Sequence, residues 1–229
     1  MRDYFKFILL FLNQLNREEV LKTDKYKKLD YPREVETNTI VLEKAEVKML
    51  IQHDPKNLRL SRVKDLFLVL IYTGLRFGDG VRISNRWVSN GMLHIHTQKT
   101  DEKITIPLHP NLKEILEKYE YNLSSLAISN QKFNKYVKEL CQDAGINADI
   151  EVIKYQHGIR KHHVFPKHKL IASHTCRRTF ITNSILAGIP LSVIQRITGH
   201  KKLVALQKYV DIAEGIKVEE MEKLSRYFE

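Results

Sequence analysis

Ser173-His174-Thr175-Cys176-Arg177-Arg178-Thr179-Phe180 and Thr198-Gly199-His200 are the two stretches that decide the fold of this chain. Ser173 is a good N-cap, and the residues after it predict a helix to about Leu186. His174 and Arg177 then project from one face of its first turn, where free backbone N–H groups also favour an anion. This pair suits a phosphate, although an exposed basic helix start has the same pattern.

The composition predicts a globular chain with a basic surface. The 229 residues are 43% hydrophobic and 28% charged, which is enough apolar material for one core and a fragment of a second domain. Lys and Arg exceed Asp and Glu by 11, so we expect a polyanionic partner, either nucleic acid or an anionic membrane surface. Charge alone does not choose between these two partners.

Neither a membrane anchor nor a secretion signal is predicted. The apolar run Phe5–Leu12 is far shorter than the roughly 20 residues that span a bilayer, and no small-residue cleavage site follows it. Cys141 and Cys176 have no metal-ligand spacing, which favours a reducing compartment. We therefore expect a cytoplasmic protein.

Three segments follow from the pattern of apolar residues. Residues 3–22 have helical periodicity, so we assign 1–22 to an N-terminal helix, 23–39 to a charged linker and 40–229 to the main domain. The main domain begins with helical patterns, the strongest being Val63–Tyr72, which ends at Gly74.

The period then changes from helix to strand. Met92–Thr97 and Lys103–Leu108 alternate apolar and polar residues, with a turn between them that contains Lys99. Helices resume at Pro110 and after Ser129, and the last ones carry Tyr209 and the segment Ile216–Phe228. The class is mainly α with a small antiparallel β-sheet.

Residues 150–170 allow two interpretations. They predict either a strand that turns at His157-Gly158 or a solvated basic loop that faces a polyanion. Their histidines do not predict a zinc site, because no carboxylate or Cys stands at ligand spacing; these histidines are His157, His162, His163 and His168.

Cleavage of a phosphodiester needs an in-line nucleophile, cations on the non-bridging oxygens and a proton for the leaving oxygen. Arg suits the oxygens because its planar fork donates two parallel hydrogen bonds and keeps its charge. His200 follows Gly199 at a helix end, and Tyr209 comes nine residues later. Since fixed cations already meet the charge, we expect no metal and no cofactor.

These residues resemble the tyrosine recombinase, or phage integrase, family. The resemblance rests on His174-x-x-Arg177, Gly199-His200 and Tyr209, together with Thr73-Gly74-Leu75-Arg76 and Lys99 in a hairpin turn upstream. It covers the chain from about Ile40 to its end and implies the catalytic-domain fold of that family. The stretches quoted first are similar to those of integrases from Bacteroidetes-type mobile elements.

The resemblance also implies a role for each residue. Tyr209 is the nucleophile that forms a 3′-phosphotyrosyl bond, and Lys99 protonates the departing 5′-oxygen. The other expected roles are that Arg76 and Arg177 hold the non-bridging oxygens, His174 assists proton transfer at the tyrosine, His200 hydrogen-bonds the phosphate, and Asp79 orients Arg76.

The implied activity is site-specific recombination for the integration or excision of a mobile element. The implied partners are duplex DNA, further copies in a synaptic tetramer formed from monomers, and accessory DNA-bending proteins. A type IB topoisomerase-like activity and a non-catalytic or truncated DNA-binding module remain alternatives. Two departures stand out: Leu203-Val204-Ala205-Leu206 replaces a Ser/Thr-rich stretch, and Gly78 and Gly80 flank Asp79. Residues 1–22 would be a remnant of a core-binding domain.

Overall fold

The computed structural model describes residues 2–29, 39–156 and 159–227. They group into two compact units, one from residues 1–38 and 152–163 and the other from residues 39–151 and 164–229. The helices are α1 (Arg2–Arg17), α2 (Lys44–Gln52), α3 (Leu58–Thr73), α4 (Phe77–Gly80), α5 (Pro110–Lys118), α6 (Asn130–Asp143), α7 (Ser173–Leu186), α8 (Leu191–Thr198) and α9 (Gln207–Tyr227). The strands are β1 (Val88–Ser89), β2 (Met92–His96), β3 (Lys103–Pro107), β4 (Asp149–Gln156) and β5 (Ile159–Pro166).

The smaller unit contains α1, and this helix is shorter than its sequence suggests. We expected a helix over residues 3–22, but it ends at Arg17 because the chain turns back at Glu19, whose φ is 58°. The short 3-10 helix Lys25–Lys28 packs on α1, where the Tyr26 hydroxyl lies 3.1 Å from Asn13 Oδ1. The predicted linker falls mostly on residues 30–38, which lie outside the described residues.

Helix α3 is the centre of the larger unit. It is apolar on nearly every side, as a helix surrounded by other elements must be, and Leu66, Phe67 and Leu70 are almost fully buried. Asn57 caps its start, and Gly74 ends it in the left-handed region with φ of 64°. Helices α5, α6 and α7 pack against it, so α7 with its His174 and Arg177 is fixed to the core.

The predicted β-hairpin is confirmed. Strands β2 and β3 pair antiparallel with Leu93 opposite Ile106 and Ile95 opposite Ile104, and β1 extends the sheet beside β2. These four apolar side chains are buried, while the alternate positions face outward. The turn that carries Lys99 is therefore joined to two strands that are fixed by their buried apolar side chains.

Two segments differ from expectation or decide between alternatives. Residues 149–166 form a β4–β5 hairpin rather than a loop, with the expected turn at residues 157–158 outside the described residues. The helix of Tyr209 and the expected C-terminal segment are one continuous helix, α9. Along the described residues, no helix combines the length and apolarity required to cross a bilayer.

The start of α7 is capped in a way that the sequence does not indicate. We expected Ser173 to be the N-cap, but Ala172 holds that position and Ser173 is the first helical residue. The Ser173 N–H donates to Asn134 Oδ1 of α6 at 2.8 Å, and the Ala172 N–H donates to Thr175 Oγ1 at 3.1 Å. The Asn134 side chain, from another helix, thus accepts one of the free N–H groups at the start of α7 that a local N-cap would otherwise accept.

Candidate active site

Arg177 joins the C-terminal ends of two helices. Its side chain is 6% exposed, and its Nη1 donates to the Gly74 carbonyl at the end of α3 over 2.9 Å. Its Nη2 donates to the Thr198 carbonyl at the end of α8 over 2.5 Å. Terminal helix carbonyls carry partial negative charge, so both ends stabilise the buried guanidinium. Burial and nearby Arg76 lower the pKa of Arg177 to about 10, which leaves it charged at neutral pH.

Arg76 lies beside Arg177 and has one nitrogen with an unmet hydrogen bond. It stands two residues after Gly74, and its Nη1 is buried with no hydrogen-bond partner among the described residues. A buried donor without a partner is costly in free energy, so this atom calls for an acceptor. A cleft of about 160 Å³ opens there, lined by Arg76, Ser173, His174, Arg177 and Asn130 among others. Two guanidinium groups beside an open cleft define an anion site.

Both histidines of the site are held in a cationic environment. His174 lies in the first turn of α7, where partial desolvation of the ring, followed by the charges of Arg178 and Arg177, lowers its pKa. For His200, burial first and then Arg177 and Arg76 lower the pKa to about 4. Both rings are therefore neutral at pH 7. A neutral His174 is able to accept a proton.

The turn that carries Lys99 is held by hydrogen bonds at both of its ends. The Thr97 N–H donates to the Glu102 carbonyl at 3.0 Å, and the Thr97 and Thr100 hydroxyls are 2.7 Å apart. At the other side, Asp79 Oδ1 accepts the Gln98 N–H at 2.9 Å. The Lys99 side chain is exposed. It also contributes to the lowered pKa of His174, which places its charge near that ring.

Asp79 acts on this turn rather than on Arg76. We expected it to orient the Arg76 guanidinium, but Asp79 Oδ1 accepts the Gln98 N–H and lies 3.8 Å from Arg82 Nη1. The reason is that Asp79 lies in the short helix α4, which faces the β2–β3 turn. Asp79 is 2% exposed, so this contact is part of the folded core of the site.

Tyr209 lies in the first turn of α9. Its side chain is 6% exposed and packs with Ile181, Ile194 and Leu206. The Leu203–Leu206 stretch forms a 3-10 turn whose fully buried Leu206 leads into α9. The ionised form of Tyr209 would raise the pKa of Arg177, against the lowering by burial and by Arg76.

The structure brings four of the expected residues together in the larger unit. Arg76, His174 and Arg177 line one cleft, and His200 lies 3.3 Å from Arg177 Nη2. Sequence reasoning missed Thr198 and the Gly74 carbonyl, which hold Arg177. The signal available was the dipeptide Thr-Gly, which occurs before Arg76 and again before His200. In the described part of the chain, no three His, Cys, Asp or Glu residues are grouped to hold a metal.

Comparison with known proteins identifies the class of this protein. The model of the phage integrase family matches residues 41–215, and the chain belongs to that family. It has the catalytic domain of a tyrosine-type site-specific recombinase.

Individual relatives agree with this assignment. The chain is 22% identical over 233 residues to the tyrosine recombinase XerD of Lacticaseibacillus casei, an alignment that covers 93% of this chain and 70% of the relative. It is 26% identical to XerA of Pyrococcus furiosus, over 93% of this chain and 67% of that protein.

Solved structures show the same fold. A lambda integrase dimer bound to a core site matches with a TM-score of 0.61 and 16% identity, covering 86% of this chain and 68% of that one. The XerH recombinase in a post-cleavage complex matches with a TM-score of 0.56 and 15% identity, over 82% of this chain and 54% of that chain. The expected fold class is thereby confirmed.

Proposed function

We propose that this protein cuts and rejoins duplex DNA at specific sites through a 3′-phosphotyrosyl intermediate, for the integration or excision of a mobile element. The observation that carries the proposal is the buried Arg76 Nη1, which has no partner in the described part of the chain and lies beside Arg177 in an open cleft. A phosphodiester oxygen is the acceptor that this nitrogen lacks. The net charge of +11 supports a polyanionic substrate, and family membership favours DNA over a membrane surface.

The geometry supports one division of labour during cleavage. Arg76 and Arg177 hold the non-bridging oxygens while the Tyr209 oxygen attacks the phosphorus. The bond from phosphorus to the 5′-oxygen breaks, and Lys99 gives that oxygen a proton. The Tyr209 proton passes to His174, whose lowered pKa keeps the ring neutral before the step. The new tyrosyl ester keeps the energy of the broken bond for rejoining.

We propose duplex DNA and further copies of the chain as its partners. The solved relatives include a lambda integrase dimer on a core site and a lambda integrase tetramer on a Holliday junction. By analogy, this chain is a monomer when free and a synaptic tetramer on DNA, with accessory DNA-bending proteins and a cytoplasmic location. Residues 1–22 are proposed to be the end of a core-binding domain, 23–39 a linker and 40–229 the catalytic domain.

The test is capture of the covalent adduct. A pool of nicked duplexes with a randomised centre is incubated with the protein in excess EDTA, and the DNA that stays bound in SDS is recovered and sequenced. We expect a defined sequence from the wild type and none from Tyr209→Phe. Tyr136→Phe is the matched control. Tyr136 lies in α6, its ring packs under Arg59 of α3, and it does not line the cleft. Absence of an adduct from the wild type over the whole pool would contradict the proposal.

A second measurement separates the nucleophile from the acid. Lys99→Ala removes the proposed proton donor, which is worth roughly 10²–10⁴-fold in rate. A 5′-bridging phosphorothiolate leaves as a thiolate and needs no proton, so it should rescue Lys99→Ala and leave Tyr209→Phe inactive. If the sulfur substrate leaves Lys99→Ala as slow as before, Lys99 is not the acid.

A further inference from the structure

Thr198 is a buried threonine with a hydroxyl shared by two groups. It is the last residue of α8 and is 0% exposed. Its Oγ1 lies 2.6 Å from the Ile194 carbonyl oxygen and 2.7 Å from His200 Nδ1. Both distances are those of good hydrogen bonds, so the hydroxyl has a fixed role toward each neighbour.

The proton count decides which way these bonds run. A hydroxyl has one proton, and a carbonyl oxygen only accepts, so the Thr198 O–H donates to Ile194. The Thr198 oxygen must then accept from His200, which requires a proton on Nδ1. We propose that Thr198 is a positioning residue that fixes His200 as the Nδ1–H tautomer and leaves Nε2 as the ring atom that meets the phosphate.

The surroundings of the ring agree with this assignment. Arg177 Nη2 lies 3.3 Å from both ring nitrogens, so it faces the ring between them and does not displace Thr198 from Nδ1. Gln195 Nε2 donates to the His200 carbonyl at 2.9 Å and fixes the backbone. The charged groups that act on the ring are Arg177, Arg76 and Lys208, and all three favour a neutral imidazole.

Thr198 also positions Arg177. The Thr198 carbonyl accepts from Arg177 Nη2 at 2.5 Å, so the hydroxyl and the carbonyl of one residue place both His200 and Arg177. With Nδ1 committed, Nε2 donates to a phosphate oxygen only after it gains a proton. This consequence rests on the proposed function: binding of the DNA phosphate is accompanied by uptake of one proton at His200.

The test of the tautomer needs no DNA. The ring nitrogens of the ¹⁵N-labelled protein are recorded by NMR at pH 7.5, with His200→Gln used to assign the His200 signals. We expect the wild type and Thr198→Ser to show the Nδ1–H form. Thr198→Val has the same shape without the hydroxyl, and it should lose that form. A wild type with the proton on Nε2, or an unchanged Thr198→Val, overturns the proposal.

Thr73 provides a matched control. It is also 0% exposed, ends a helix before a glycine and donates to the carbonyl four residues earlier, at 2.7 Å to Val69. Thr73→Val should leave the His200 tautomer as in the wild type. If it changes the tautomer as much as Thr198→Val does, the effect is general loosening and the positioning role is wrong.

Activity provides an independent readout. Loss of a residue that orients a functional histidine typically costs about 10–100-fold, so Thr198→Val should form adduct that much more slowly, with rescue by Thr198→Ser. Equal rates for Thr198→Val and the wild type would overturn the catalytic part of the proposal. If the wild type forms no adduct at all, the proposed function fails, while the tautomer result still decides the role of Thr198.

Discussion

Helices α3 and α8 end in the same dipeptide, yet the two ends do different work. At Thr73-Gly74 and at Thr198-Gly199 the glycine is left-handed, with φ of 64° and 62°. Each threonine donates to the carbonyl four residues earlier, and each end gives a carbonyl to Arg177. The dipeptide therefore builds the same local structure twice, on either side of one cation.

The difference lies in what each hydroxyl accepts. Thr73 Oγ1 accepts the Leu75 N–H at 3.3 Å, which is a backbone contact inside the core. Thr198 Oγ1 accepts from the ring of His200 at 2.7 Å, which is a contact with the site. The hydroxyl at one end supports packing, and the hydroxyl at the other end supports chemistry. Local sequence sets the helix end, and its neighbours in space set its use.

Among changes at the two helix ends, the largest effect is expected at Arg177, which links them. Arg177→Lys replaces a fork by a single nitrogen, which does not reach both helix ends and does not grip a phosphate in two places. We expect adduct formation to fall by about 10²–10³-fold, the loss usual for one preorganised donor. Arg59→Lys is the control, since that arginine is 44% exposed in a surface pair with Glu139. Retention of more than a tenth of the activity by Arg177→Lys would contradict the role of Arg177 in bridging the two helix ends and holding the phosphate.

The two glycines distinguish a packed end from an open one. A Cβ on Gly74 would lie 2.5 Å from Phe180 Cδ1, whereas on Gly199 its nearest neighbour is Ile104 Cγ2 at 3.5 Å. A left-handed alanine costs about 1–2 kcal/mol, and overpacking adds about 1–3 kcal/mol. We expect Gly74→Ala to lose about 3 kcal/mol in urea unfolding and Gly199→Ala about 1–2 kcal/mol. Equal losses at the two positions would remove the distinction between the two ends.

A change of pH should affect stability through the end of α8 and not through the end of α3, because only the end of α8 contacts a histidine, His200. Burial and the nearby arginines lower the pKa of His200 from 6.5 to about 4, so the unfolded chain binds its proton first. Stability is then complete above about pH 6.5 and falls as the pH drops toward 4. For this half-buried ring we expect a loss on the order of 1–2 kcal/mol.

The measurement is the urea midpoint at pH 7.5 and at pH 5. The pKa of His174 is also lowered, so it contributes in the same direction, and comparison of His200→Gln with the wild type isolates His200. We expect the variant to lose less stability than the wild type between the two pH values. The same loss in both proteins would show that His200 does not take part.

The smallest effect is expected at a third threonine, which has no such neighbour. Thr182 in α7 is 0% exposed, and its hydroxyl has no hydrogen-bond partner in the described part of the chain. Removal of a buried polar group without a partner is neutral or favourable, so Thr182→Val should gain between 0 and about 1 kcal/mol. Thermal unfolding of the variant beside Thr198→Val tests this, and a clear loss in Thr182→Val would mean that its hydroxyl has a partner.

Much of the fold could be predicted from local patterns. The correct elements followed from the apolar run of α3, the alternation in β2 and β3, and the glycines at 74 and 199. These signals are local, because the hydrophobic period and the backbone freedom of glycine depend on only a few neighbouring residues. The boundary of α1 was missed because Glu19 turns the chain at a position with no glycine or proline. The join within α9 was missed because Gly215, a residue type that commonly ends a helix, stands between its two apolar segments, yet the helix continues through it.

The residue types of the site were determined by the sequence: two arginines, two histidines, a lysine in a turn and a tyrosine, in an order that identifies the family. Only the tertiary structure decided their partners. Arg177 bonds to a carbonyl 103 positions away, Asn134 caps α7 from α6, and Asp79 holds the turn of Lys99 rather than Arg76. Periodicity and capping are short-range and can be read along the chain. Which groups share a buried proton or a buried charge depends on packing between distant segments.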